Sequence, residues 1–199
     1  VAAEGVAYAT VVDGTGVIIE VNSETDFAAK TDSFLDLVKN LATVVATENP
    51  ADVDALKACK YPNSNLTVTE IMQEKVMSIG ENMQIGKFQR LSIEGTGAIV
   101  PYIHMNGKIG VLAAFTFGKA ETAADERFLA MGKDVAMQIA AIPPVALDES
   151  KVPAEVVEHE MGIYKAQAAE SGKPENIQEK IATGRLEKFF KENCLTEQA

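Results

Sequence analysis

Two runs rich in β-branched residues, 6–12 (VAYATVV) and 17–22 (VIIEVN), flank Asp13-Gly14-Thr15-Gly16. A tight turn between strands needs positive φ, which Gly adopts freely and Asp tolerates, so this pattern predicts a β-hairpin. The Gly pair is read as a turn rather than a phosphate loop. A phosphate loop opens a helix directly after its glycines, and here a strand follows.

The apolar period then changes. Phe34, Leu37, Val38, Leu41, Val44 and Val45 fall at i, i+3, i+4, i+7, i+10 and i+11, one face of a helix over 32–46 with Thr31 as N-cap. Residues 49–66, with Pro50 and Pro62, read as a loop holding one helical turn. Thr67-Val68-Thr69-Glu70 is a capping-box pattern opening a helix to about Ser78, closed by Gly80. Residues 85–93 alternate as a strand, and Gly95 and Gly97 break the chain. A second hairpin is expected over 98–104 and 108–117, around Met105-Asn106-Gly107. A helix over 122–141 follows, with Thr122-Ala123-Ala124-Asp125 as its cap and Pro143-Pro144 as its stop.

The second half echoes the first. Asp13-Gly14 matches Asn106-Gly107, Phe34-Leu35 matches Phe128-Leu129, and Ala42 matches Ala136, at nearly constant offset. The fold class expected is α+β: two related subdomains of small antiparallel sheets packed with helices, 1–96 and 97–150. After them, Val157, Met161, Tyr164 and Ala168, then Ile177, Ile181, Leu186, Phe189 and Phe190, keep helical spacing around Ser171-Gly172-Lys173-Pro174. That predicts a protruding antiparallel helical hairpin within 151–199. The first subdomain gains a third strand and the second has none before Ala199. With Val1-Ala2-Ala3-Glu4 lacking an initiator Met or a signal peptide's pattern, the sequence is expected to be truncated at both ends.

Composition narrows the function. Among 199 residues, 18 Lys and Arg face 29 Asp and Glu, for a net charge of -11. No basic stripe with interleaved aromatics is present to grip phosphates, so direct nucleic-acid binding is not expected. No apolar stretch approaches the roughly 18–20 residues of a membrane span. Cys59 and Cys194 share no CxxC spacing and His104 and His159 lie far apart, which argues against a zinc site or a disulfide framework and fits a reducing compartment. No nucleotide-loop or serine-hydrolase motif occurs, and no nucleophile, base and acid compose a set. The chain reads as a binding protein rather than an enzyme, with no cofactor and no metal of its own.

One segment stands out: Asn22-Ser23-Glu24-Thr25-Asp26-Phe27, after a strand and before a helix. In its plain reading, Thr25 or Asp26 caps a turn and Phe27 packs as a staple on the next helix. In its functional reading, an acid and an aromatic wedge are presented to a partner.

The run IEVNSETDF, 19–27, resembles the signature of the elongation factor Ts family, the nucleotide exchange factors of elongation factor Tu. Ile79-Gly80-Glu81-Asn82, the His104 hairpin with Lys108-Ile109-Gly110-Val111, and the segment from Ser171-Gly172-Lys173-Pro174 to Gly184-Arg185 also resemble that family, in order along nearly the whole chain. The resemblance implies a cytoplasmic factor of bacterial or organellar origin that binds elongation factor Tu in its GDP-bound and nucleotide-free states. It implies that Thr25, Asp26 and Phe27 enter the guanine-nucleotide domain near the magnesium and phosphate site. Phe27 would wedge between partner side chains, and Asp26 would disturb the groups that hold Mg²⁺. It further implies that Ile79 and Gly80 touch the same domain, that His104 touches another, and that 154–193 is the family's coiled-coil arm. Ala28 departs from the family, whose members usually carry Val there. The family's N-terminal helical domain has no counterpart in these 199 residues. The competing expectation is an interaction module that forms a homodimer through the hairpin and has no exchange activity. For the exchange reading, Asp26 and Phe27 are both expected to be exposed.

Overall fold

The computed structural model describes residues 2–199. The chain forms two compact units, Val1–Ala140 and Ala141–Ala199.

In the first unit, β1 (Glu4–Val12) and β2 (Thr15–Ser23) form the expected hairpin, with Asp13 at φ 48° and Gly14 at φ 79° in the turn. β3 (Met83–Leu91) pairs antiparallel on the other side of β2, so the sheet order is β1-β2-β3 and β2 is central. Successive side chains of β2 point to opposite faces. Val17, Ile19 and Val21 are buried on one face. Against them lies α1 (Asp32–Glu48), which buries Phe34, Leu37, Val38, Leu41, Val44 and Val45. These are the residues whose helical spacing the sequence displays. Each fully buried side chain of this size contributes about 1.5–3 kcal/mol relative to exposure. The Thr31 hydroxyl accepts from the Phe34 amide at 3.3 Å, so this helix starts where its cap predicts. α2 (Val53–Ala58) is the helical turn in the loop. α3 (Val68–Ile79) opens on the complete capping box and ends at Gly80 in the left-handed region, φ 81°.

β4 (Gly97–His104) and β5 (Ile109–Thr116) form the second hairpin, with Met105, Asn106 and Gly107 all at positive φ. This hairpin packs on the face of β1 and β2 opposite α1. Glycine permits the close approach: a Cβ at Gly16 would stand 2.9 Å from Ile99 Cγ2, and one at Gly110 would stand 3.1 Å from Ile18 Cδ1. The Ala7 amide donates to the Gly107 carbonyl at 2.6 Å and ties the second turn to β1.

The following helix starts later than expected. Residues Ala120–Ala124 form a single 3₁₀ turn, Asp125 is extended, and α4 spans Glu126–Ala141. The cap is Asp125 rather than Thr122, because Asp125 Oδ1 accepts from the Arg127 amide at 2.8 Å. The Arg127 guanidinium and that amide together hold the Asp125 carboxyl at about 2. α4 buries Phe128, Gly132, Ala136 and Ala140, with Phe128 edge-on to Phe115 and Phe117. Phe128 and Ala136 are buried, as are Phe34 and Ala42.

In the second unit, α5 (Ala154–Ala169) and α6 (Glu175–Asn193) pack as the expected hairpin, with Gly172 at φ 66° in its turn. Pro153 and Pro174 precede the two helices, where a missing N–H costs nothing. Val152, Phe190 and Cys194 form the small core at its base, and the Leu195 amide donates to Ala146 O at 3.0 Å. The molecule is therefore α+β in class, with antiparallel sheets and six α-helices among the described residues.

Candidate functional site: the Thr25-Asp26-Phe27 loop and the end of α3

β2 ends at the fully buried Ser23, and α1 begins at Asp32. The chain between them is held at several points. Thr25 is the hub. Its amide donates to Glu81 Oε2 at 3.0 Å and its hydroxyl donates to Glu81 Oε1 at 2.6 Å. The same hydroxyl accepts from the Ala28 amide at 3.2 Å. Its carbonyl accepts from Ser23 Oγ at 2.9 Å and from the Ala29 amide at 3.4 Å. Glu24 Oε2 reaches across in return and accepts from the Asn82 amide at 3.2 Å. The loop is thus laced to the residues just past the Gly80 cap.

The residues after Phe27 are anchored as well: Ala28 and Ala29 are buried. Phe27 itself sits in helical backbone and is 79% exposed. The plain reading of this segment therefore divides. Thr25 does cap a turn, through the Ala28 amide, whereas Phe27 is not a staple. An aromatic ring left in water forgoes the burial that a staple would contribute.

The Asp26 side chain is about half-exposed, and its carboxylate pairs with Lys30 at 2.6 Å. The spacing is i, i+4 across the single 3₁₀ turn Ala28–Lys30. The hydrogen bond from Lys30 holds the Asp26 carboxyl below its ordinary range; the charges of Lys30 and Lys108 add to this, and partial burial opposes it. A carboxylate lowered in this way contributes stability above its unfolded value and loses it as pH falls through the folded value, below about pH 4. The pair lies near water, so the contribution is small. The titration itself is the better readout. In Lys30→Met, the Asp26 carboxyl midpoint is expected to rise toward the ordinary carboxylate range in a ¹³C NMR titration. An unmoved midpoint would contradict the pairing.

Ile79 is half-buried and packs on the main core, while Gly80 is exposed. They directly precede Glu81 in the chain, the residue that bonds Thr25. Beside them Met77 is 76% exposed. A groove of about 560 Å³ runs along this side of α3, lined by Met72, Val76, Met77, Asn82 and Met83 among others. His104 stands elsewhere, at the exposed end of β4, where its Nδ1 shares a 2.8 Å hydrogen bond with the Tyr102 hydroxyl. Among the described residues no hydrogen bond or ion pair joins His104 to the loop. Lys108, in the turn of the same hairpin, pairs with Glu4 at 2.7 Å and adds positive charge toward Asp26.

Thr25, Asp26 and Phe27 are legible in the sequence as a candidate site, whereas the parts played by Glu81, Glu24 and Lys30 are visible in the structure. Lys30 had a readable signal in its i, i+4 spacing from Asp26. The Glu81 contact joins positions 56 apart and had none. Among the described residues no cluster of three or more His, Cys, Asp or Glu is placed to hold a metal ion, and no helix is long and apolar enough to cross a membrane. The site is an exposed aromatic residue on a loop anchored on both sides.

Known proteins resemble this chain closely. The family described as Elongation factor TS matches residues 24–199. The protein named Elongation factor Ts from Trichlorobacter lovleyi is 46% identical over 200 residues, covering 99% of this chain and 64% of that protein. Its namesake from Syntrophotalea carbinolica is 44% identical, over 100% of this chain and 64% of that protein. The one from Pediococcus pentosaceus is 43% identical, with the same two coverages. The chain thus spans about 64% of the length of these relatives.

Proposed function

The chain belongs to the elongation factor Ts family, and from that premise we propose that it is a guanine nucleotide exchange factor in translation elongation. It binds elongation factor Tu in the GDP-bound and nucleotide-free states and speeds release of GDP, in the cytoplasm. The observation that carries this reading is the exposed Phe27 ring on a loop whose two sides are both fixed.

Exchange forms and breaks no covalent bond in this chain, so it requires no catalytic set. It requires binding the nucleotide-free partner more tightly than the GDP-bound one, since only differential affinity shifts an equilibrium. A shift from 1:99 to 99:1 takes about 5.5 kcal/mol. Burying Phe27 between partner side chains supplies roughly 1.5–3 kcal/mol of it. The remainder comes from Asp26, freed from or carried in with Lys30, as it disturbs the partner groups that hold Mg²⁺ and phosphate. Ile79 and Gly80, next to the loop's anchor, widen the contact on the same domain. His104, on its separate hairpin, reaches a different domain of the partner.

Stopped-flow release of a fluorescent GDP from elongation factor Tu tests the proposal. Addition of the chain is expected to accelerate release in a saturable, concentration-dependent manner. No acceleration at any concentration, together with self-association in sedimentation, would favour the homodimer module instead.

A further inference from the structure

We infer that Glu81 is a positioning residue that holds the Thr25-Asp26-Phe27 loop in its presenting shape; this rests on the exchange reading above. Glu81 follows the Gly80 cap of α3, so its backbone is fixed by a helix end rather than by the loop it serves. Its two carboxylate oxygens each accept from Thr25, one from the amide and one from the hydroxyl. Hydrogen bonds to an ionised acceptor are the stronger kind, and two from one residue fix direction as well as distance. The Asn82 amide donates to Glu24 in the reverse sense, so two carboxylates cross-link the segments.

The consequence is for Phe27. Upstream, Thr25 is locked to Glu81. Downstream, Ala28 and Ala29 are buried and the Ala28 amide is capped by the Thr25 hydroxyl. Only Asp26 and Phe27 lie between the two fixed points. The ring therefore has no slack with which to fold back onto apolar surface, which its hydrophobicity otherwise favours. Pre-organisation of this kind lowers the ordering cost of binding. Apparent affinity scales with the fraction of free molecules already in the competent shape.

The test uses the whole chain, with Glu81→Ala, Glu81→Gln and Thr25→Val. Two quantities are read from GDP release: the half-saturating concentration and the plateau rate. If loss of the clamp leaves one molecule in ten competent, Glu81→Ala raises half-saturation about tenfold. The plateau stays put, because the loop, once seated, carries the same Asp26 and Phe27. Glu81→Gln, which keeps one acceptor oxygen, should fall between Ala and wild type. Thr25→Val should match Glu81→Ala more closely than Glu81→Gln does. Amide hydrogen exchange over 25–30 should quicken in Glu81→Ala while exchange in α1 does not change. A plateau loss with unchanged half-saturation overturns the inference, as does wild-type behaviour in Glu81→Ala. If the wild-type chain does not accelerate release at all, the exchange reading fails instead. Hydrogen exchange then decides the clamp alone: a Thr25 amide protected in wild type and released in Glu81→Ala upholds it, and equal protection in both overturns it.

Discussion

Phe27→Ala is expected to weaken the functional complex with elongation factor Tu roughly thirtyfold or more and to leave the fold untouched. The first half follows from where the ring sits. An aromatic side chain presented from a fixed loop is the type of group that dominates interfaces, and truncating such an anchor costs about 2–4 kcal/mol. At 1.4 kcal/mol per decade, the lower end already gives that factor. The second half follows from exposure. With 79% of its surface in water, the ring contributes almost nothing to the core. Exposed substitutions of this kind stay within about 0.5 kcal/mol, a shift of roughly 2 °C or less in Tm for a unit of this size. The two readouts, stopped-flow GDP release and a thermal melt by circular dichroism, separate function from stability. A melt lowered by many degrees would mean that the ring supports the core. An unchanged exchange rate with an unchanged melt would remove Phe27 from the interface.

What was readable in advance depended on whether the cause was local. The hairpin turns at Asp13-Gly14 and Asn106-Gly107, the Thr31 and Thr67 caps and the Gly80 stop are all set by neighbours within four residues, and all were legible. The face of α1 was legible because its period is set by helix geometry. The start of α4 was misplaced because both Thr122 and Asp125 are cap residues by type. Only the hydrogen bond from the Arg127 amide selects Asp125. In the candidate site, Thr25's turn-capping bond to Ala28 spans three residues and was anticipated in kind. The exposure of Phe27 was not decidable from periodicity, because an aromatic before a helix suits a staple and a wedge alike. The pairing that decides it, Thr25 with Glu81, forms only when α3 delivers residue 81 to the end of β2. Residues that hold a functional loop in place are set by tertiary structure, and a single sequence does not display them.

Phe34 gives the opposite result to Phe27, seven positions away. Phe34→Ala is expected to cost about 3–5 kcal/mol of stability, the range for deleting a fully buried aromatic side chain. Its ring is 0% exposed and is among the largest side chains wholly inside the α1–sheet core. The loss has two parts: the transfer free energy of the ring, and the cavity left in a core too tightly packed to close over it. The substitution should not break the start of α1, because the Thr31 cap bonds the Phe34 amide and not its side chain. Far-UV circular dichroism should therefore keep the native helix content at low temperature. At about 4 °C per kcal/mol for a unit near 140 residues, the melting transition of that unit should fall by roughly 12–20 °C. The chain has two compact units, so a probe confined to the first is needed to follow its transition. Methyl NMR signals of Val17, Ile19 and Leu41 are the appropriate probe, since they report this core alone. At temperatures where that core remains folded, Phe34→Ala should still accelerate GDP release, because the Glu81 clamp and the Phe27 ring are intact. Loss of activity with those methyl signals still native would contradict this assignment and place Phe34 in the presentation of the loop.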